Sequence, residues 1–195
     1  LSLISFGQPL LIKTGIALVT SGLILSVPEK VNAESATFYF ERGIKKQLEQ
    51  NYQDAIEDFT KSIKLNPKYF EAYFNRGFSK SALDNIQDAI GDLTKAIELN
   101  SEYAKAFRSR ALNKRHLKDY QGAISDFTKA IELNPKDFSS YYLRADIKDN
   151  LEDYQGAISD FTKVIELNPK DFSSYYYRGI AKDNLKDYQG AISDF

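Results

Sequence analysis

The sequence predicts an all-α solenoid of stacked helix-turn-helix hairpins, and three observations predict it. An Arg-Gly or Arg-Ala pair begins at positions 42, 76, 110, 144 and 178, a constant step of 34 residues. Each period holds two stretches whose residues keep the three-to-four spacing of one helical face, such as Tyr141, Ala145, Lys148 and Leu151, then Tyr154, Ala157, Phe161, Val164 and Ile165. Asn-Pro steps at 66–67, 134–135 and 168–169 close the periods, because proline withholds the next backbone donor and disfavours helix in the residue before it.

Composition narrows the function. The chain has 195 residues, 43% hydrophobic and 27% charged, with 26 Lys and Arg against 27 Asp and Glu. A net charge of −1 gives no general attraction to nucleic acid or to an anionic membrane surface. Cysteine is absent and His116 is the only histidine, so thiol chemistry, disulfides and paired-histidine metal sites have no residues to build them. No catalytic residue, cofactor or metal ligand is expected.

Residues 1–33 stand apart from the repeats. Lys13 precedes an apolar stretch over 14–27, Pro28 ends it, and Val31-Asn32-Ala33 supplies small residues of the kind signal peptidase accepts. The segment reads as a secretory signal peptide, hence an exported protein of the cell envelope. A retained membrane anchor is the alternative, because Leu10, Leu11 and Ile12 extend the apolar run beyond Lys13.

The array proper occupies 34–195, in units 36–69, 70–103, 104–137, 138–171 and an incomplete 172–195. In each unit a short polar residue stands before the second helix, at Asn51, Asn85, Asp119, Asp153 and Asp187, where it can cap free amides. Asp137 and Asp171 are expected to cap the first helices that follow them. Small residues at 43, 77, 111, 145 and 179, and alanines at 55, 89, 123, 157 and 191, mark where paired helices must approach closely. Glu49 replaces the leucine found at 83, 117, 151 and 185, and Ser101 replaces a proline, so the first two hairpins are expected to be less regular.

This pattern of aromatic, small, Tyr, Ala, Phe, small and Pro at a period of 34 resembles the tetratricopeptide repeat family, over about five-sixths of the chain. The resemblance implies a right-handed superhelix that binds protein partners, its concave groove taking an extended peptide or a helix. Some members grip acidic chaperone tails with a Lys and Asn clamp. Asn75 and Lys105 match that clamp, whereas Phe40 and Ile44 stand where a Lys and an Asn would be, so the clamp is incomplete.

Arg42, Arg76, Arg110, Arg144 and Arg178 recur in step with Asp58, Asp92, Asp126, Asp160 and Asp194. A pair present in every unit belongs to the unit's construction, tying first helix to second; exposed pairs of this type contribute about 0.2 to 1 kcal/mol. Tyr141 and Tyr175 fall at packing positions, leaving Tyr142 and Tyr176 to face a ligand.

At 100° per residue the opposite side of each first helix can be read off, giving a candidate partner-binding groove. Its first two units offer Phe40, Ile44, Phe74 and Phe78, an apolar end; the third offers Lys105, Arg108, Arg115 and His116, a basic band. The fourth and fifth offer Tyr142, Asp146, Asp149, Asn150, Tyr176, Asp183 and Asn184. A partner segment with apolar, acidic and basic sections would complement these zones. Two alternatives remain: the array is the recognition arm of a larger enzyme or assembly protein, or it self-associates through its last repeat. Segments 117–142 and 151–176 differ only at Lys118 against Glu152 and Ala130 against Val164, so the first three units carry most of the groove's variety.

Overall fold

A computed structural model describes residues 35–195. Among them lie ten helices and no strand: α1 (Ala36–Leu48), α2 (Tyr52–Leu65), α3 (Phe70–Ala82), α4 (Ile86–Leu99), α5 (Ala104–His116), α6 (Tyr120–Leu133), α7 (Phe138–Asn150), α8 (Tyr154–Leu167), α9 (Phe172–Asn184) and α10 (Tyr188–Asp194). The expected signal peptide or anchor falls outside the described residues. No helix among these is long and apolar enough to cross a membrane.

Consecutive helices pair as hairpins, and each hairpin packs on the next. The first helix of every unit ends in one way. Gln50, Asp84, Lys118, Glu152 and Lys186 adopt left-handed φ values of 60° to 64°. The Lys118 N–H then donates to Arg115 O at 2.9 Å and the Asp119 N–H to Lys114 O at 2.9 Å, the paired bonds that satisfy the last carbonyls of a helix. The chain is thereby reversed within three residues, and Asp119 immediately caps the second helix, accepting from the Gly122 N–H at 3.0 Å.

Asp153 and Asp187 cap α8 and α10 in the same manner, and Asn51 accepts from Asp54 N–H on α2. Asn85 does not cap α4; its amide instead donates to Asp88 at 3.2 Å. Asp171 caps α9 through the Ser174 N–H, but Asp137 makes no cap bond, because its carboxylate is engaged by Arg108 and Ser140. The expected irregularity of the first two hairpins is absent. Their helices have 13 and 14 residues, as in the third and fourth units, so Glu49 and Ser101 are accommodated in exposed turns without altering the frame.

The core is a row of buried side chains, Phe59, Leu93, Phe127 and Phe161, each facing the small residue of its own first helix. At Gly43 an added Cβ would lie 2.7 Å from Phe59 Cε1, so this close approach requires glycine unless the ring gives way. Units join continuously: Ala111, Ala123 and Phe127 form one cluster with Ile147 of the following hairpin.

The recurring Arg and Asp do tie the hairpins, but the aspartates are buried rather than exposed. Arg110 donates to Asp126 from Nε at 2.8 Å and from Nη2 at 2.7 Å, and Lys114 adds a second cation at 2.8 Å. Arg110 Nη1 meanwhile donates to Thr94 of the preceding hairpin at 3.0 Å. The same arginine stacks over Phe107, its centre 5.7 Å from the ring centroid. With Asp126 only 4% exposed, the surface-pair magnitude does not apply; removing one partner of a buried pair typically costs about 3 to 5 kcal/mol.

Candidate functional site: the inner face of the first helices

Side-chain hydrogen bonds cross directly between first helices of successive hairpins. Gln47 Nε2 donates to Ser79 Oγ at 2.8 Å, Ser81 Oγ donates to Asn113 Oδ1 at 2.8 Å, and Arg115 Nη2 donates to Asp146 Oδ2 at 2.5 Å. No such bond joins two second helices among the described residues. Neighbouring units therefore meet directly through their first helices, and this side, which we term the inner face, is the one on which the groove residues were expected.

At the apolar end, Phe40 and Phe74 are half-buried under the tyrosines that close their own units, just before the next first helix. The Phe40 ring lies 4.8 Å from that of Tyr69, and the Phe74 ring 5.0 Å from that of Tyr103. Ile44 is half-buried, while Phe78 is 45% exposed and continues the open apolar strip with Leu48 and Leu112.

The basic band is largely neutralised from within. Arg108 lies 3.2 Å from both carboxylate oxygens of Asp137, Arg115 holds Asp146, and His116 Nε2 stands 3.4 Å from Asp84. Lys105 is exposed and unpaired. Complementarity to an acidic ligand thus reduces to Lys105 and the outward side of the two arginines.

In the fourth unit Tyr142 is half-buried, its ring edge-on to Phe161 at 5.7 Å and to Tyr177 at 6.3 Å. Burial, with smaller effects from Tyr177, Asp146 and Asp171, raises the Tyr142 phenol above its ordinary pKa. Asn150 donates to the backbone oxygen of Asp146 at 2.6 Å. Asp149 differs from its neighbours: its Oδ1 is buried with no hydrogen-bond partner, and burial followed by repulsion from Asp146 raises its pKa. In the fifth unit Asp183 and Asn184 are exposed, and Tyr176 is 55% exposed beside Phe195.

Sequence reasoning missed one component, the residue at the mouth of each inter-unit cleft. Tyr69, Tyr103, Asp137 and Asp171 occupy equivalent places opposite Phe40, Phe74, Arg108 and Tyr142. Reading Asp137 and Asp171 only as caps hid this pairing. The signal was present, since the change from Tyr to Asp keeps step with the change from Phe to Arg one helix earlier. At the last cleft Phe138, Ser139, Tyr142, Leu143, Asp171 and Ser173 surround a cavity of about 330 Å³.

The fold and face define a stacked-hairpin repeat protein with a lined inner groove and, among the described residues, no cluster of His, Asp and Glu that could hold a metal ion. Tetratricopeptide repeat models match residues 36–69 and 138–171, 59–91 and 161–193, and 79–138. The chain belongs to the tetratricopeptide repeat family. Among solved structures it is similar to the MamA protein, at 25% identity over 82% of this chain and 87% of that one, with a TM-score of 0.77. MamA from Desulfovibrio magneticus RS-1 is 18% identical over 82% and 90% of the two chains, with a TM-score of 0.74. YrrB, described as a TPR protein with an unusual peptide-binding site, is 19% identical over 85% of each chain, with a TM-score of 0.75. Comparison with curated proteins gives no match.

Proposed function

We propose that the chain is an exported interaction scaffold that holds a partner peptide or helix against the inner face of its first helices. One observation carries the reading: the residues of that face lie outside the repeated frame of the hairpins. The repeated Arg, Asp, Ala and Phe positions are used inside and between units, whereas the inner position occupied by Phe78 is Ile44, Leu112, Asp146 and Ile180 in the other units. A surface whose residues vary between otherwise matching units, with Phe78 and Tyr176 left open, suits recognition of one extended ligand through successive contacts.

The test is selection of peptides from a displayed random library on the full chain, followed by affinity measurement on Phe78→Asp and Tyr176→Asp. Selected peptides are expected to bind the parent and to lose about tenfold or more on a variant whose contact they use. Selected peptides indifferent to both substitutions, or no selection at all, would remove the groove reading. Export is tested separately by fractionation and N-terminal sequencing, with a mature chain starting at Glu34 expected.

Association of two copies is a second reading, favoured by Phe172, Tyr176 and Phe195 around a hollow of about 780 Å³. A mass by light scattering that stays monomeric across concentration would exclude it.

A further inference from the structure

We infer that the inner face between α7 and α9 docks a basic segment carrying two arginine or lysine side chains, one against Asp171 and one against Asp149. This deepens the groove reading and rests on it. The protein's own preceding unit shows what completes such a site.

The cleft mouths form a series of four. The first two are closed by ring on ring, Phe40 with Tyr69 and Phe74 with Tyr103. The third is closed by charge, the Arg108 guanidinium against Asp137 at 3.2 Å. In the fourth the carboxylate is retained as Asp171, but its opposite number is Tyr142, which carries no charge at neutral pH. Asp171 bonds only the amide and hydroxyl of Ser174, and the cavity beside it is walled by Phe138, Tyr142 and Leu143. A guanidinium entering there would meet the carboxylate end-on and the rings face-on, the two surfaces that arginine recognises.

The polar rungs form a second, independent series. Gln47 reaches Ser79, Ser81 reaches Asn113, and Arg115 reaches Asp146. The next residue in that register is Asp149, and the places it would reach are Ile180 and Ala181, which offer no donor. Its buried Oδ1 is left without a partner. Both series therefore show an Arg–Asp pair at the junction of the third and fourth units and a carboxylate without a cation at the next.

The cations of α7 and α9 themselves are engaged, and Lys170, next to Asp171 in the turn before α9, forms no ion pair with it among the described residues. Arg144 and Lys148 hold Asp160, Arg178 and Lys182 hold Asp194, and Arg115 holds Asp146. An acidic or phosphorylated segment would meet Asp146, Asp149, Asp171 and Asp183 and be repelled. Tyr142 and Asp149 are seven residues apart on α7, about 10 Å along its axis. That length is spanned by about three residues of a polyproline-II segment, at about 3.1 Å each and with side chains i and i+3 on one side, so the fitting motif is Arg-x-x-Arg or its lysine equivalent.

The test is an NMR titration of the full chain, ¹⁵N-labelled, with the peptide acetyl-Ala-Ala-Arg-Ala-Ala-Arg-Ala-Ala-amide and with its Gln and Glu counterparts. Saturable shifts confined to α7 and α9 are expected for the Arg peptide, with at least about tenfold weaker binding of the Gln peptide and none of the Glu peptide. Asp149→Asn and Asp171→Asn should each weaken the Arg peptide about tenfold, Asn at 171 keeping the helix cap. Tyr142→Arg copies the third unit and should close the site from within, while spectra of α1–α6 stay unchanged. Equal binding of Arg and Gln peptides, or indifference to both Asp substitutions, overturns the inference. If library-selected peptides still depend on Phe78 or Tyr176 in that case, the groove reading survives it; if they depend on neither, both fall.

Discussion

Arg144 donates to both oxygens of Asp160 from Nε and Nη2, at 2.8 and 2.6 Å, and with Nη1 reaches Thr128 of the preceding hairpin at 2.8 Å. One side chain thus ties two helices of a unit and the unit to its neighbour. Arg144→Ala is expected to destabilise the array by about 3 kcal/mol, since it strands a buried carboxylate that Lys148 alone must then satisfy. Lys163→Ala, which removes an exposed pair with Glu166, should leave stability essentially unchanged. Urea unfolding of the two variants side by side measures the contrast.

The first and last aspartates of this series set a pH limit. Burial alone would raise the carboxyls of Asp58 and Asp194, yet hydrogen bonds from Arg42 with Lys46, and from Arg178 with Lys182, hold both below the ordinary carboxylate range. A carboxyl depressed in the folded state contributes its full stabilisation above its unfolded pKa, about 3.9, and loses it as pH falls through the lower folded value. Stability should therefore be level above about pH 5 and decline progressively below about pH 4. Thermal midpoints recorded between pH 3 and pH 7 check this, and a decline beginning near neutrality would contradict it.

Five residues with side chains occupy left-handed backbone. Lys118 at φ 62° and Glu152 at φ 63° would each be relieved by glycine, with a gain of about 1 kcal/mol per site. Lys118→Val, branched at Cβ, should act in the opposite direction. Because these turns lie one per unit and share no partners, the gains should add. Calorimetry of single and combined glycine variants measures them.

Asp149 predicts a conflict between stability and binding. Its carboxyl is raised by burial and then by Asp146, so the folded state holds the proton more tightly than the unfolded one. The resulting penalty is fully present above the folded pKa and vanishes below the unfolded pKa. Asp149→Asn should accordingly raise the midpoint of the free protein at pH 7 and leave it unchanged near pH 3. A fall at pH 7 would show that the carboxylate has a stabilising partner.

The frame was legible because it repeats. Period, small-residue positions, most second-helix caps and the Arg–Asp tie all follow from residues that recur at one spacing, and repetition separates construction from accident. Helical angle alone shows which residues share one side of the first helices, among them Phe78 and Tyr176, both of which are exposed. What angle could not supply was the state of each group: that Arg108 is engaged by the acid closing its own unit and Arg115 by an acid of the next depends on contacts across 29 and 31 residues. Burial of Asp126 was likewise hidden, because a charged residue on a helix gives no sign in sequence of whether its neighbours cover it.

The missing rung at Asp149 bears on mechanics as well as recognition. Along the inner edge the earlier joints are fastened by a polar cross-link, whereas the last has none there among the described residues and is packed by the rings of Tyr142 and Phe161 against Tyr177. Its outer edge keeps the tether from Arg178 to Thr162. A segment bridging that inner edge would supply the cross-link the last joint lacks and fasten the final two units together on both sides.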